Sequence, residues 1–87
     1  MAKFDDLKLY VKTGCPYCAR VDRFCEENDI QIEHLNIADG TNAEDLVRIG
    51  GKRMCPCLLI SGEPMYESLD IIKYLADRVG VDMLDWL

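Results

Sequence analysis

The chain has 87 residues, 49% hydrophobic and 30% charged, with ten Lys and Arg against sixteen Asp and Glu for a net charge of −6. A globular domain averages about 45–50% apolar and about 25% charged residues, so the composition excludes a disordered tail or a fibrous chain, and the length allows a single domain over 1–87. The acidic balance, with a pI near 4.6, repels phosphate backbones and anionic membranes, so neither nucleic acid nor a membrane surface is an expected partner. The longest apolar run, Met54 to Ile60, contains Pro56 and falls far short of the roughly 20 residues of a membrane span. The first residues, Met1-Ala2-Lys3-Phe4-Asp5-Asp6, put two acids where a secretory signal needs an apolar core, so a cytoplasmic location is expected.

In chain order, Leu7, Leu9 and Val11 alternate with Lys8, Tyr10 and Lys12, which predicts a first strand over 7–12. Thr13 and Gly14 break it. Pro16 suits a first helical turn, where its missing N–H has no partner to lose, so a helix is predicted from Cys15 or Pro16 to about Asn28, with Cys18, Val21, Phe24 and Cys25 on its apolar stripe. The isoleucine-rich stretch 30–37 predicts a second strand. Thr41 and Glu44 have the spacing of a capping box before a second helix that carries Leu46, Val47 and Ile49 and stops at Gly50-Gly51. Cys57-Leu58-Leu59-Ile60 predicts a short buried strand, a turn at Ser61-Gly62-Glu63 leads to a brief strand at 65–66, and Ser68 is the expected cap of a third helix. That helix presents Leu69, Ile72, Leu75, Ala76 and Val79 as its apolar face and ends at Gly80. The order βαβαββα implies an α/β fold. A parallel pair joined by a crossover helix, then an antiparallel hairpin, makes a mixed four-stranded sheet flanked by three helices on both faces.

Five cysteines are an odd count, and the Cys-x-x-Cys spacing of Cys15 and Cys18 marks redox or metal chemistry rather than a disulfide framework. Only a thiolate attacks a disulfide, so a redox cysteine needs a positive field. Cys15 has two sources: the N-terminal dipole of the helix that follows it and Lys12, three residues earlier. Cys18, one turn into the helix, reaches the same point but is more shielded, so Cys15 is expected to attack and Cys18 to resolve. The same spacing also serves half a zinc site or two small core residues. Cys25 on the apolar stripe and Cys57 in an apolar strand read as core thiols. His34, with no partner visible in the sequence, reads as structural.

Lys12-Thr13-Gly14-Cys15-Pro16-Tyr17-Cys18 resembles the active-site motif of the dithiol glutaredoxins, and the order of elements resembles the thioredoxin-like fold to which they belong. Pro56 looks like that fold's cis-proline. The stretch from Tyr66 to Leu75 departs from the glycine-rich glutaredoxin pattern and resembles the N-terminal domain of glutathione transferases. The resemblance implies that Cys15 and Cys18 are catalytic, and that the backbone of Cys55, beside Pro56, binds an extended substrate chain. It further implies that Glu67 and Ser68 hold the γ-glutamyl end of glutathione, that Lys12 meets its glycyl carboxylate and that Tyr17 packs against it. Asp70, Arg48 and Lys52 are further charged candidates. Valine commonly stands where this chain has Cys55. The plainer expectation is a small apolar substitute whose thiol stays protonated for lack of a positive field. The other is an auxiliary thiol that traps the Cys15 adduct or joins Cys15 and Cys18 on a metal.

The implied activity is glutathione-dependent thiol–disulfide exchange with glutathionylated or disulfide-containing proteins. Glutathione is the cosubstrate, with no metal or other tightly bound cofactor required. Two alternatives stand beside it, a redoxin coupled to thioredoxin reductase and a module holding an iron–sulfur cluster or zinc. A conjugating transferase would need a second, helical domain.

Overall fold

A computed structural model describes residues 2–81; residue 1 and residues 82–87 lie outside that description. The chain order is β1 (Ala2–Val11), α1 (Pro16–Glu27), β2 (Ile30–Asn36), α2 (Asn42–Gly50), β3 (Cys57–Ile60), β4 (Glu63–Met65) and α3 (Ser68–Val79). The sheet runs β2-β1-β3-β4, with β1 parallel to β2 and antiparallel to β3, and β4 antiparallel to β3. This is the expected mixed sheet.

Because successive side chains of a strand point to opposite faces, the sheet builds two cores. Leu7, Leu9 and Leu58 pack with Val21, Phe24 and Cys25 of α1 and Ile71, Ile72 and Leu75 of α3. Tyr10, Cys57 and Leu59 pack on the other face with Leu46 of α2. Cys15 and Cys55 lie near the end of the sheet where β1 leaves Val11 and β3 begins, because Tyr10 pairs with Cys57 across the two strands.

Several local expectations are corrected. β1 begins at Ala2, before the predicted 7–12, because Ala2 and Lys3 pair with Ile30 and Gln31, with a register shift before Lys8. Asp6 is drawn in by Arg78 of α3 at 3.1 Å, and the same guanidinium stacks over Phe4 at 4.5 Å. The hairpin turn is two residues, not three: Ile60 faces Glu63, and Ser61 (φ 49°) and Gly62 (φ 90°) take the left-handed conformations that favour such turns. β4 is therefore Glu63–Met65 and excludes Tyr66, and Pro64 is tolerated because β4 is an edge. Thr41 precedes α2 without a side-chain cap bond, its hydroxyl donating instead to the Asp45 carboxylate at 3.1 Å. Ser68 is the first helical residue rather than the cap, which is Glu67. The buried stripe of α3 runs Ser68, Ile71, Ile72, Leu75, Ala76, a phase that leaves Leu69 41% exposed. On α2 only Leu46 is buried, and Val47 and Ile49 are exposed.

Tyr66 ties the turn after α2 to the start of α3, its hydroxyl donating to the Lys52 carbonyl at 3.0 Å. A Cβ at Gly50 would overlap that hydroxyl and crowd the ring carbon behind it. Gly50→Ala gains up to about 1 kcal/mol in helix propensity but forces a half-buried aromatic aside, at about 1–3 kcal/mol. The variant is therefore expected to be the less stable protein, by a lower urea midpoint; a midpoint at or above that of the wild type would contradict this packing.

Candidate active site

β1 ends at Val11, and Gly14 (φ 80°) turns the chain into α1. Cys15 takes the N-cap position with an extended backbone (φ −86°, ψ 116°), and its Sγ accepts the backbone N–H of Cys18 at 3.3 Å. Pro16 follows inside the first turn. Helix N-termini leave N–H groups without intrahelical partners, and a sulfur placed there is favoured as an anion. The Sγ also lies 3.8 Å from the carbonyl oxygen of Cys55, in the Cys55–Pro56 peptide just before β3. That peptide is cis, as the resemblance implied.

The thiols are differentiated by their surroundings. Burial opposes ionisation of Cys15, but the Cys18 thiol, the backbone N–H groups of Cys18 and Tyr17 and the charge of Lys12 outweigh it and hold its pKa below the ordinary thiol value. Cys18 is only 2% exposed. Burial, then the hydrogen bond that its thiol donates to Cys15, pushes it up to about 12. Cys25 is likewise pushed up to about 12, first by burial and then by Asp22 and Glu26, and Cys57 is raised by burial. Both are buried core thiols, as read from the sequence. Cys55 is raised by burial and by the negative charge of Cys15, while Lys12, a hydrogen bond with Cys18 and Arg53 pull the other way. Among the described residues, no group of three or more His, Cys, Asp or Glu is placed to hold a metal ion.

Three cavities border these cysteines: one, of about 490 Å³, runs from Lys12 past Cys15 and Cys18 to Asp22 and Asn36, and the other two meet at Cys55. The first of these two, of about 710 Å³, is bounded by Lys12, Cys15, Tyr17, Arg53, Met54 and Cys55 among others. The second, of about 290 Å³, runs on between Tyr17, Met54, Cys55, Pro56, Tyr66, Glu67 and Ser68. Of the residues expected in the site, Lys12, Tyr17, Cys55, Pro56, Glu67 and Ser68 therefore line one continuous groove with Cys15. Asp70 stands exposed in the first turn of α3 and lines neither cavity. Arg48 is turned to Asp45 at 3.0 Å, and Lys52 lies over the Tyr66 ring at 5.6 Å. Arg53, Met54 and Tyr66 line the groove and were not singled out. The signal for Arg53 and Met54 is their position, since the loop before Pro56 must pass Cys15 and its side chains border the same space, and Tyr66 comes to the groove from the turn between β4 and α3. His34 does have partners, Asp22 of α1 at 2.6 Å and the Ile32 carbonyl at 2.7 Å, which no local pattern could show.

A family model described as the glutathione S-transferase N-terminal domain matches residues 9–81. Glutaredoxin 2 from Salmonella typhimurium, solved in complex with glutathione, superposes with a TM-score of 0.75 at 25% identity over 90% of this chain and 36% of its own. Glutathione transferase Omega 3C from Trametes versicolor gives 0.69 at 28% identity over 88% of this chain and 35% of its own. Hybrid peroxiredoxin hyPrx5 of Haemophilus influenzae is 22% identical over 72 residues, 83% of this chain and 30% of that protein. The chain thus spans about a third of the length of each of these proteins. The fold is thioredoxin-like, as its element order and these superpositions show.

The lowered pKa sets a test. Alkylation of Cys15 by iodoacetamide, followed against pH, is expected to titrate below the value of about 8.5 of an unfolded thiol, and Lys12→Gln should move the midpoint part of the way back up. A wild-type midpoint at or above 8.5 would contradict the geometry. Because the folded value is the lower one, the stability tied to Cys15 is complete above the unfolded pKa and fades as pH falls through the folded pKa. Cys18 has the opposite sign, its contribution holding below the unfolded pKa and fading as pH rises toward about 12.

Proposed function

The chain belongs to the glutathione S-transferase N-terminal domain family, and on that premise we propose that it is a glutathione-dependent thiol–disulfide oxidoreductase of the glutaredoxin type. The observation that carries this reading is the opposed state of two thiols one helical turn apart, Cys15 held toward thiolate and Cys18 held as thiol, at the mouth of a groove that ends on α3.

The Cys15 thiolate attacks the glutathione sulfur of a protein–glutathione mixed disulfide. That S–S bond breaks, the protein leaves as a thiolate that takes a proton from water, and Cys15 carries glutathione as a new disulfide. A second glutathione thiolate attacks the bound glutathione's sulfur, releasing glutathione disulfide and restoring the Cys15 thiolate. With a protein disulfide as substrate, Cys18 gives up its proton and attacks Cys15 Sγ, so that the Cys15–Cys18 bond forms as the substrate thiol departs.

The groove supports glutathione as the reductant. Ser68 and the residues after it present the free N–H groups of the α3 N-terminus, which suit the α-carboxylate of a γ-glutamyl group, and the Glu67 carboxylate suits its ammonium. Tyr17 offers an exposed ring, and Lys12 and Arg53 offer positive charge to the glycyl carboxylate at the other end. Such chemistry belongs to a reducing compartment such as the cytoplasm.

Cys15→Ser is expected to abolish release of glutathione from a glutathionylated protein, whereas Cys18→Ser should retain it, because that cycle needs one protein thiol. Equal loss in both variants would remove the assigned division of labour. Glu67→Ala should raise KM for glutathione about two- to fivefold, corresponding to roughly 0.3–1 kcal/mol for an ion pair near a helix start. An unchanged KM, with reduction driven by thioredoxin reductase, would favour the redoxin alternative.

A further inference from the structure

The groove holds a third thiol that the two-cysteine cycle leaves idle. Cys55 borders both cavities of the groove toward α3, so it stands beside any substrate joined to Cys15 that lies there, while Cys18, 2% exposed, borders instead the separate cavity toward Asp22 and Asn36. The Cys55 carbonyl oxygen is 3.8 Å from Cys15 Sγ. Cys57, two residues on, is by contrast fully buried in the core on the α2 side. Cys55 packs against the edge of the same core, but unlike Cys57 it is only partly buried and borders the groove.

We propose that Cys55 is a second resolving thiol, able to attack the Cys15 adduct from the groove side in competition with Cys18. This rests on the reading of Cys15 as the nucleophile. In the step, a mixed disulfide Cys15–S–S–R meets the Cys55 thiolate, whose proton has gone to water. The Cys55 sulfur attacks Cys15 Sγ, the Cys15–S–S–Cys55 bond forms, and R leaves as a thiolate that takes up a proton. The two electrons that reduce R come from the two protein thiols, and two glutathione molecules, oxidised to glutathione disulfide, return both cysteines to the reduced state.

The Cys55 thiol is held toward its protonated form, as the plainer expectation had it, but by burial and the Cys15 charge rather than for lack of a positive field, since both Lys12 and Arg53 favour its thiolate. Burial still raises its pKa, as it raises that of Cys18 to about 12. Resolution is therefore slower than the first attack by either route, and position decides between them. A bulky protein substrate held in the groove faces Cys55 directly.

The test uses the reduced full chain and one equivalent of the aromatic disulfide 5,5′-dithiobis(2-nitrobenzoate), which asks nothing of a glutathione site. Cys18→Ser is expected to release about two equivalents of thionitrobenzoate, the second at least about tenfold faster than in Cys18→Ser/Cys55→Val. Peptide mapping should find a Cys15–Cys55 link. Cys18→Ser/Cys55→Ser, which keeps the size and polarity at that position, should stop at the adduct in the same way as the valine variant. If Cys18→Ser also stops at a stable Cys15 adduct, the proposal is overturned. Glutathione disulfide applied in parallel separates the two readings. Closure with the aromatic reagent but no adduct from glutathione disulfide keeps the second resolver and removes glutathione, and an adduct without closure does the reverse.

Discussion

The contact on which the rest of the site depends is a sulfur in the place of a capping oxygen, the Cys15 Sγ accepting the Cys18 N–H at 3.3 Å. An N-cap side chain satisfies backbone donors that otherwise have no partner. A neutral thiol does this poorly and a thiolate does it well, so the start of α1 and the ionised state of Cys15 stabilise each other. Pro16 fits because it brings no N–H of its own to a turn already short of acceptors. The same geometry separates the thiols. The residue that caps the helix is held at its mouth, and the residue one turn in, on the buried stripe with Val21 and Phe24, is 2% exposed.

The chain's net charge of −6 does not describe its groove. The larger cavity is lined by the cations Lys12 and Arg53 with no acid beside them, and the smaller one adds Glu67 alone. A positive mouth in an acidic protein focuses the field where a thiolate must form and where a carboxylate-ended thiol would dock, while the remaining surface repels polyanions. The two ends of the groove thus offer opposite charges to the two ends of a zwitterionic peptide. Tyr66 holds this arrangement from behind, its hydroxyl on the Lys52 carbonyl fixing the loop that carries Arg53 and Met54 past Cys15.

Much of this was legible in the sequence because it is local. Pro16 after Cys15 announces a helix start, Leu7, Leu9 and Val11 announce a strand, and the Cys15–Cys18 spacing puts both sulfurs at one helix end. What the sequence hid was set by partners distant along the chain. Asp6 joins β1 through Arg78, and His34 meets Asp22 across two elements. Ser68 and Thr41 have the right chemistry for caps, but Ser68 lies one residue past the cap position, which Glu67 takes, and Thr41 holds that position with its hydroxyl turned to Asp45 instead of a backbone N–H. Leu69 fits an apolar count yet not the phase set by Ile71, Ile72 and Leu75, because the helix is rotated by what it packs on, not by its own composition. Arg53 and Met54, in a loop with no periodicity, gained their place only when Pro56 and Cys15 were brought side by side.

The account stands on glutathione joined to Cys15 lying along the groove toward α3. Amide chemical-shift mapping of the Cys15–glutathione mixed disulfide, formed in the Cys18→Ser/Cys55→Val background so that it persists, tests that directly. The largest changes should fall on Tyr17, position 55, Glu67, Ser68 and Leu69, with Arg53 and Met54 at the other end. Changes confined to α1, with the amides at the start of α3 unmoved, would contradict it.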